Sequence, residues 1–139
     1  MPRIERTAQV TWEGNVARGN GGMTAGSGAF AGLPYSLPAR IGRVEGKTSP
    51  EELLAAAHAG CLTMGIATEL TQAGTPPERL EVSCRIVMDE VEGRGHLIVG
   101  SHVTVPRELP EELVERADAG CPFSIMLRSA GVEVTISRA

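Results

Sequence analysis

Two cysteines separated by 60 positions carry the clearest chemical possibility in this 139-residue chain. Cys61 closes the run Ser49-Pro50-Glu51-Glu52-Leu53-Leu54-Ala55-Ala56-Ala57-His58-Ala59-Gly60-Cys61, and Cys121 stands in Ala119-Gly120-Cys121-Pro122-Phe123-Ser124. Neither has another cysteine close in sequence with which to form a local metal or redox loop. A thiolate is a nucleophile and a reductant, so two sulfurs that meet in the fold can cycle between dithiol and disulfide. Two that do not meet are small core residues.

Local context treats the pair differently. Cys61 falls well inside a helical segment, beyond reach of the positive helix terminus, and apolar burial raises a thiol pKa. A reactive Cys61 therefore needs a cation brought from elsewhere in the fold; otherwise it is an inert core thiol. Cys121 lies between Gly120, which ends one helix, and Pro122, which can start the next. As an N-cap it would face free backbone N–H groups that favour a thiolate or a leaving sulfur, although Gly-Cys-Pro is equally a tight inter-helix turn. Cys84, between Ser83 and Arg85, reads as strand packing. His58 and Cys61, three apart on one helix face, suggest zinc together with Cys121, but no fourth ligand is evident and the metal reading is set aside. His96 and His102 fall on strands and read as surface residues.

The elements that must position these groups are legible from spacing and breakers. Ser49, Pro50 and Glu52 form an N-terminal signature with a capping box, and Leu53 to about Gln72 runs without proline to Ala73-Gly74-Thr75-Pro76-Pro77. Being apolar on most of its circumference, this helix is expected to be buried on several sides. Its longest apolar stretch, Leu53 to Ala67, reads as too short for a bilayer, which takes about 20 residues. Upstream, Ile4 to Trp12 reads as a strand, Val16-Ala17-Arg18 as the start of a return strand, and Tyr35 to Ile41 as a third strand confined by Pro38 to an edge or bulge. Downstream, Leu80 to Val91 and His96 to Val105 form a hairpin. Helices follow from Pro110 to about Ala119 and from Pro122 through Leu127, and Val132 to Ile136 is a last strand. The order indicates an α+β fold.

Composition narrows the function classes. The length fits one domain, with 42% hydrophobic and 22% charged residues, the balance of a globular protein. With 3% aromatic residues and a net charge of −4, there is neither a stacking platform nor a basic footprint for nucleic acid or anionic membrane. The start Met1-Pro2-Arg3-Ile4 has no apolar core or cleavage site of a signal peptide. A cytoplasmic protein with reduced thiols is the expectation, and an odd count of three cysteines fits a secreted disulfide framework poorly.

The two cysteine motifs, together with Gln9-Val10-Thr11-Trp12-Glu13-Gly14, Arg18-Gly19 and Leu33-Pro34-Tyr35 with Arg40, resemble the OsmC/Ohr family of osmotically inducible and organic hydroperoxide resistance proteins, and its OsmC branch more than its Ohr branch. The resemblance runs in order along essentially the whole chain. It implies one OsmC-like domain over residues 1–139, with N-terminal strands in 1–45, the central helix at about 50–73 and a strand–helix–strand portion at 79–139. It also implies antiparallel sheets wrapped around long central helices in an intertwined homodimer.

By the same resemblance the protein is a cysteine-based peroxidase for organic hydroperoxides, and less effectively for hydrogen peroxide. Cys61 is the peroxidatic residue and Cys121 the resolving one, with a Cys61–Cys121 disulfide returned to dithiol by a small thiol or a lipoyl or thioredoxin-like protein. An Arg–Glu pair near the reactive sulfur is also implied. Glu51 matches the family glutamate. Arg40 is the first candidate arginine, because its spacing from Tyr35 is preserved, with Arg43 and Arg18 behind it. Glu51 and Cys61 are about 15 Å apart along a straight helix at 1.5 Å per residue, so Glu51 is expected to serve the neighbouring subunit.

Met64, Ile66, Phe123 and Met126 are candidate lining for an apolar substrate pocket. No metal, haem, flavin or nucleotide motif is present, so no cofactor is expected. The alternatives are a redox sensor and an apolar-ligand-binding OsmC-like protein without peroxidase turnover.

Overall fold

The computed structural model describes residues 2–139, which form two compact units, the first closing at Pro50 and the second running from Glu51 to Ala139. In the first unit, strand β1 (Ala8–Glu13), β2 (Asn20–Ala25) and β3 (Leu33–Tyr35) make an antiparallel sheet in that order. The return strand starts later than its β-branched residues suggest. Asn15 closes a turn first: its side-chain oxygen accepts from the Arg18 amide at 2.8 Å, and its carbonyl accepts from Gly19 at 2.7 Å. Gly21 pairs with Trp12 and with Tyr35, and a side chain there would collide with both rings, which meet edge to face at 5.6 Å.

The third strand expected from Tyr35 to Ile41 is instead β3 followed by a short helix, α1 (Leu37–Ile41). Ser36 caps it, its hydroxyl accepting from the Ala39 amide at 3.2 Å, and Pro38 sits in the first turn. A proline there loses no helical hydrogen bond and its fixed φ is already helical. The residue that argued for a sheet edge in fact opens the helix that carries Arg40.

The second unit is built on α2 (Pro50–Gln72), which runs unbroken from the proline start to the Ala73-Gly74 stop. Thr63, Thr68 and Thr71 return their hydroxyls to the carbonyls of Ala59, Met64 and Ala67. The apolar surface thereby continues past Ala67. At 23 residues, with a mean hydropathy of 1.3 over its most apolar window, α2 is long and apolar enough to cross a membrane by length and composition. This corrects the shorter span read from the sequence. Within the chain α2 is buried along one face and not on several sides as expected: Leu62 and Ile66 are fully buried with Val103 and Val105 of the sheet and Leu113, Val114 and Ala117 of α3 (Glu111–Ala119).

The sheet of this unit is β4 (Ser83–Val91), β5 (Gly95–Val105) and β6 (Glu133–Arg138). β4 and β5 form the expected hairpin, with a bulge at Val87/Met88. β6 runs parallel to β5, so the sheet is mixed and not wholly antiparallel. A parallel pair needs a crossover, and here α3 and α4 (Pro122–Ser129) supply it. Arg116 of α3 holds Glu69 of α2 at 3.0 Å, and Arg128 of α4 holds Asp118 of α3 at 2.7 Å.

Candidate active site

Cys61 sits three residues, a little under one turn, beyond His58 on α2, partly buried, with its side chain against the core. Cys121 is the residue between α3 and α4, 3% exposed and part of the hydrophobic cluster itself. Both thiols are free, and Cys121 lies close enough to act on the ionisation of Cys61. Residues 60 apart in sequence are thus brought side by side, the first condition for a disulfide between them.

The N-terminus of α4 faces a different sulfur from the one expected. Cys121 occupies the N-cap position but makes no side-chain capping bond. The amide of Phe123, in the first turn of α4, instead hydrogen-bonds Cys61. Cys61 is therefore far from the start of its own helix and at the start of another. An N–H aimed at sulfur favours thiolate. Burial and the neighbouring Cys121 act in the other direction and are stronger, so within the single chain the Cys61 thiol is pushed above its ordinary value. A further positive group is needed to make it a ready nucleophile at neutral pH.

His58, set aside as a zinc ligand, is fully buried and satisfied by two buried hydroxyls. Its Nδ1 lies 2.6 Å from Ser101 Oγ on β5 and its Nε2 lies 2.8 Å from Ser124 Oγ on α4. Desolvation holds its pKa below the ordinary histidine value; Asp118 works against that shift and Arg128 with it. With both nitrogens engaged, the ring offers no lone pair to a metal, and among the described residues no group of three His, Cys, Asp or Glu side chains could hold one. Cys84 lies 3.4 Å from Ser101 Oγ and packs on the core. His96 is exposed, whereas His102 is partly buried and bonded to Thr135 Oγ1 at 2.7 Å, a strand-to-strand role in place of the surface one expected.

The other named residues are distributed as follows. Glu51 is in the first turn of α2, on the same uninterrupted helix as Cys61. Arg40 lies in the last turn of α1, in the first unit. Arg43, also of that unit, pairs with Glu45 at 2.9 Å on the surface, and Arg18 is exposed next to the Asn15 turn. Of the apolar candidates, Phe123 packs on the core beside Cys61. Ile66 is completely enclosed, and Met64 and Met126 are 74% and 50% exposed. In the single chain these four do not line one pocket: Ile66 is core and the two methionines face outward.

Ser101, Ser124 and the Phe123 amide were not singled out from sequence. Ser124 alone left a trace, three residues after Cys121 as Cys61 is three after His58.

Such a fold, with a thiol on a long helix apposed to a second thiol at a helix junction, defines an α+β dithiol protein. The chain belongs to the OsmC-like protein family, whose model matches residues 43–137. It is 32% identical to the peroxiredoxin OsmC of Escherichia coli K12, over 96% of this chain and 94% of that protein. Among solved structures it is similar to the organic hydroperoxide resistance protein OhrB of Bacillus subtilis, with a TM-score of 0.73, 26% identity and coverage of 96% and 98%. An organic hydroperoxide resistance protein OsmC of Legionella pneumophila shares the fold, with a TM-score of 0.73 at 22% identity over 99% of both chains.

Proposed function

We propose that the protein is a thiol-dependent peroxidase that reduces organic hydroperoxides and, less well, hydrogen peroxide. The observation that carries this reading is the juxtaposition of two free thiols, Cys61 and Cys121. The relatives named as a peroxiredoxin and as hydroperoxide resistance proteins support it.

The Cys61 thiolate attacks the terminal peroxide oxygen. An S–O bond forms, the O–O bond breaks, and the alkoxide leaves with a proton as the alcohol. Cys121 then attacks the Cys61 sulfenic acid; an S–S bond forms, the S–O bond breaks, and water leaves with the Cys121 proton. Two equivalents of an external thiol return the disulfide to the dithiol.

The activating cation is Arg40, oriented by Glu51. A guanidinium favours thiolate over thiol and can also hold the peroxide, and a carboxylate fixes its plane. Glu51 is placed by its helix about 15 Å along the axis from Cys61 of the same chain, at 1.5 Å per residue, so it serves the site of a second copy. A second copy also accounts for α2. Only 17% of its most apolar window is buried within one chain, and Met64, Ile125 and Met126 are at least half exposed. Exposed apolar surface of that extent, Met64 on α2 and Ile125 and Met126 on α4, is the mark of an interface. The homodimer buries this face, and the two methionines become walls of a pocket that accepts the apolar tail of an alkyl hydroperoxide.

The test is peroxide consumption with tert-butyl or cumene hydroperoxide and dithiothreitol. Turnover is expected from the wild type and not from Cys61→Ser; turnover that survives this change removes Cys61 from the attacking role. After one equivalent of peroxide, intact mass should fall by two hydrogens and peptide mapping should join Cys61 to Cys121. A stable gain of one oxygen would remove Cys121 as the resolving residue.

A further inference from the structure

His58 and Cys61 are three apart on α2, and Ser124 and Cys121 are three apart across the start of α4. Each pair thus presents two side chains on neighbouring turns of the same face. The structure brings the two pairs together: Cys121 beside Cys61, and a rung from Nε2 to Oγ at 2.8 Å between His58 and Ser124. The Phe123 amide adds a third link, to Cys61. On the other side of the imidazole, Nδ1 is fixed at 2.6 Å by Ser101 Oγ of β5. His58, Ser101 and Ser124 are all completely buried. The ring is therefore wedged between the sheet and the first turn of α4, and that turn is the one that carries the second thiol.

We propose that His58 and Ser124 are positioning residues that set the approach of Cys121 to Cys61 and so govern closure of the disulfide. This rests on the peroxidase reading for its physiological meaning, but its physical content is the dithiol–disulfide equilibrium alone.

The choice of residue types supports the assignment. A buried imidazole has two polar nitrogens to satisfy, at a cost an aliphatic side chain of similar volume avoids. What it supplies in return is direction. Whichever nitrogen of the neutral ring carries the proton, one serine accepts from it and the other donates to it, so both distances are held. A disulfide tolerates little error, with S–S near 2.05 Å and a Cβ–S–S–Cβ dihedral near ±90°. Two thiols side by side must still close to bonding distance. The α4 turn has to follow without leaving its seat, and the His58–Ser124 rung, beside the sulfurs but outside the reaction, allows that. His58 touches neither sulfur's reacting partner and is not a catalytic acid or base in this scheme.

The experiment equilibrates the full-length protein with reduced and oxidised glutathione and quantifies the Cys61–Cys121 disulfide by mass spectrometry of alkylated peptides. Ser124→Ala and His58→Asn are expected to lower the equilibrium constant for disulfide formation by about tenfold, the scale of one lost buried hydrogen bond. Asn places an amide near Nδ1 and keeps the Ser101 bond but not the Ser124 bond. His58→Gln reaches the Nε2 position and Ser124→Thr keeps the hydroxyl, so both are expected to stay within about threefold of wild type by the same measure.

A merely structural histidine predicts that Gln and Asn behave alike, and that outcome overturns the proposal. So does an unchanged equilibrium in Ser124→Ala. If His58→Asn does not fold, the comparison of Ser124→Ala with Ser124→Thr decides by itself. Loss of peroxide turnover in the wild type would defeat the functional reading without touching this equilibrium, so the two failures are distinguishable.

Discussion

The amide of Phe123 donates to the sulfur of Cys61 across a gap of 62 positions in sequence, although the sulfur of Cys121 is the one that stands at the N-cap of Phe123's own helix. The terminus of α4 is thus spent on the thiol of another helix. Cys121 contributes through its own sulfur, which lies beside Cys61 and, with burial, keeps that group protonated.

Removing Cys121 should therefore make Cys61 more acidic. Its raised pKa means that the thiol form prevails at neutral pH and that reactivity climbs as pH rises. In Cys121→Ala the neighbouring sulfur that holds the proton is gone, so the profile should move to lower pH. Iodoacetamide labelling of Cys61 against pH, followed by peptide mass, measures this; a shift to higher pH would contradict the assignment. Disulfide formation should be abolished in the same variant.

Arg40→Met should move that profile in the opposite direction, because a guanidinium near the sulfur stabilises the thiolate. Loss of at least about tenfold in the second-order rate with cumene hydroperoxide is expected, one pKa unit corresponding to about 1.4 kcal/mol. An unchanged rate would direct attention to Arg43 or Arg18.

The proposed partner role of Glu51 predicts complementation. Glu51→Gln chains and Cys61→Ser chains should each be nearly inactive. Refolded together in equal amounts they should recover about a quarter of wild-type sites, since half the dimers are mixed and each mixed dimer holds one complete site. No recovery would mean that Glu51 acts within its own chain.

Ile66 is fully enclosed with Leu62 and Val103. Ile66→Ala should cost about 2–5 kcal/mol in urea denaturation, the range for truncating a buried aliphatic side chain. A cost near zero would mean that the side chain lies in an open cavity.

His58 predicts an acid limb in stability. Its folded-state pKa is lowered, so the unfolded chain binds the proton first and stability falls as pH drops through the ordinary histidine value towards the folded one. The charged and titratable groups bearing on it are Asp118 of α3, which opposes the shift, Arg128 of α4, which reinforces it, and the thiol of Cys84 on β4. Chemical denaturation between pH 8 and 5 should show a steeper loss for wild type than for His58→Gln, which cannot titrate.

How far the sequence could be read depends on the range of the forces involved. α2 was legible because its start and stop lie in local chemistry, Ser49-Pro50 at one end and Gly74 with two prolines at the other. α1 was not, because Pro38 fits a sheet edge and a first helical turn equally well, and the Ser36 cap decides between them. The cysteines were visible as a pair only through a family pattern that spans the chain. The rest of the site needs the docking of α4 on α2. Ser101 and Ser124 lie 43 and 66 residues from His58, and no periodicity connects them. Sequence order alone pairs the α4 terminus with the sulfur nearer to it, Cys121, and only the docking of α4 on α2 turns it to Cys61. Met64 and Ile66, two apart on one helix, necessarily point to different sides, so one is core and the other faces outward.

The unequal burial of the two sulfurs gives the return half of the cycle a direction. Cys121 is enclosed at 3% exposure while Cys61 is only partly buried. A reducing thiolate that arrives from solvent meets the Cys61 end of the disulfide, becomes linked to it, and expels Cys121 as the departing thiolate. In the proposed cycle the mixed species formed with the electron donor is then held on Cys61 of α2. In that cycle oxidant and reductant would reach the same sulfur in turn, and the donor would be selected by its fit to that sulfur's surroundings as much as by its redox potential.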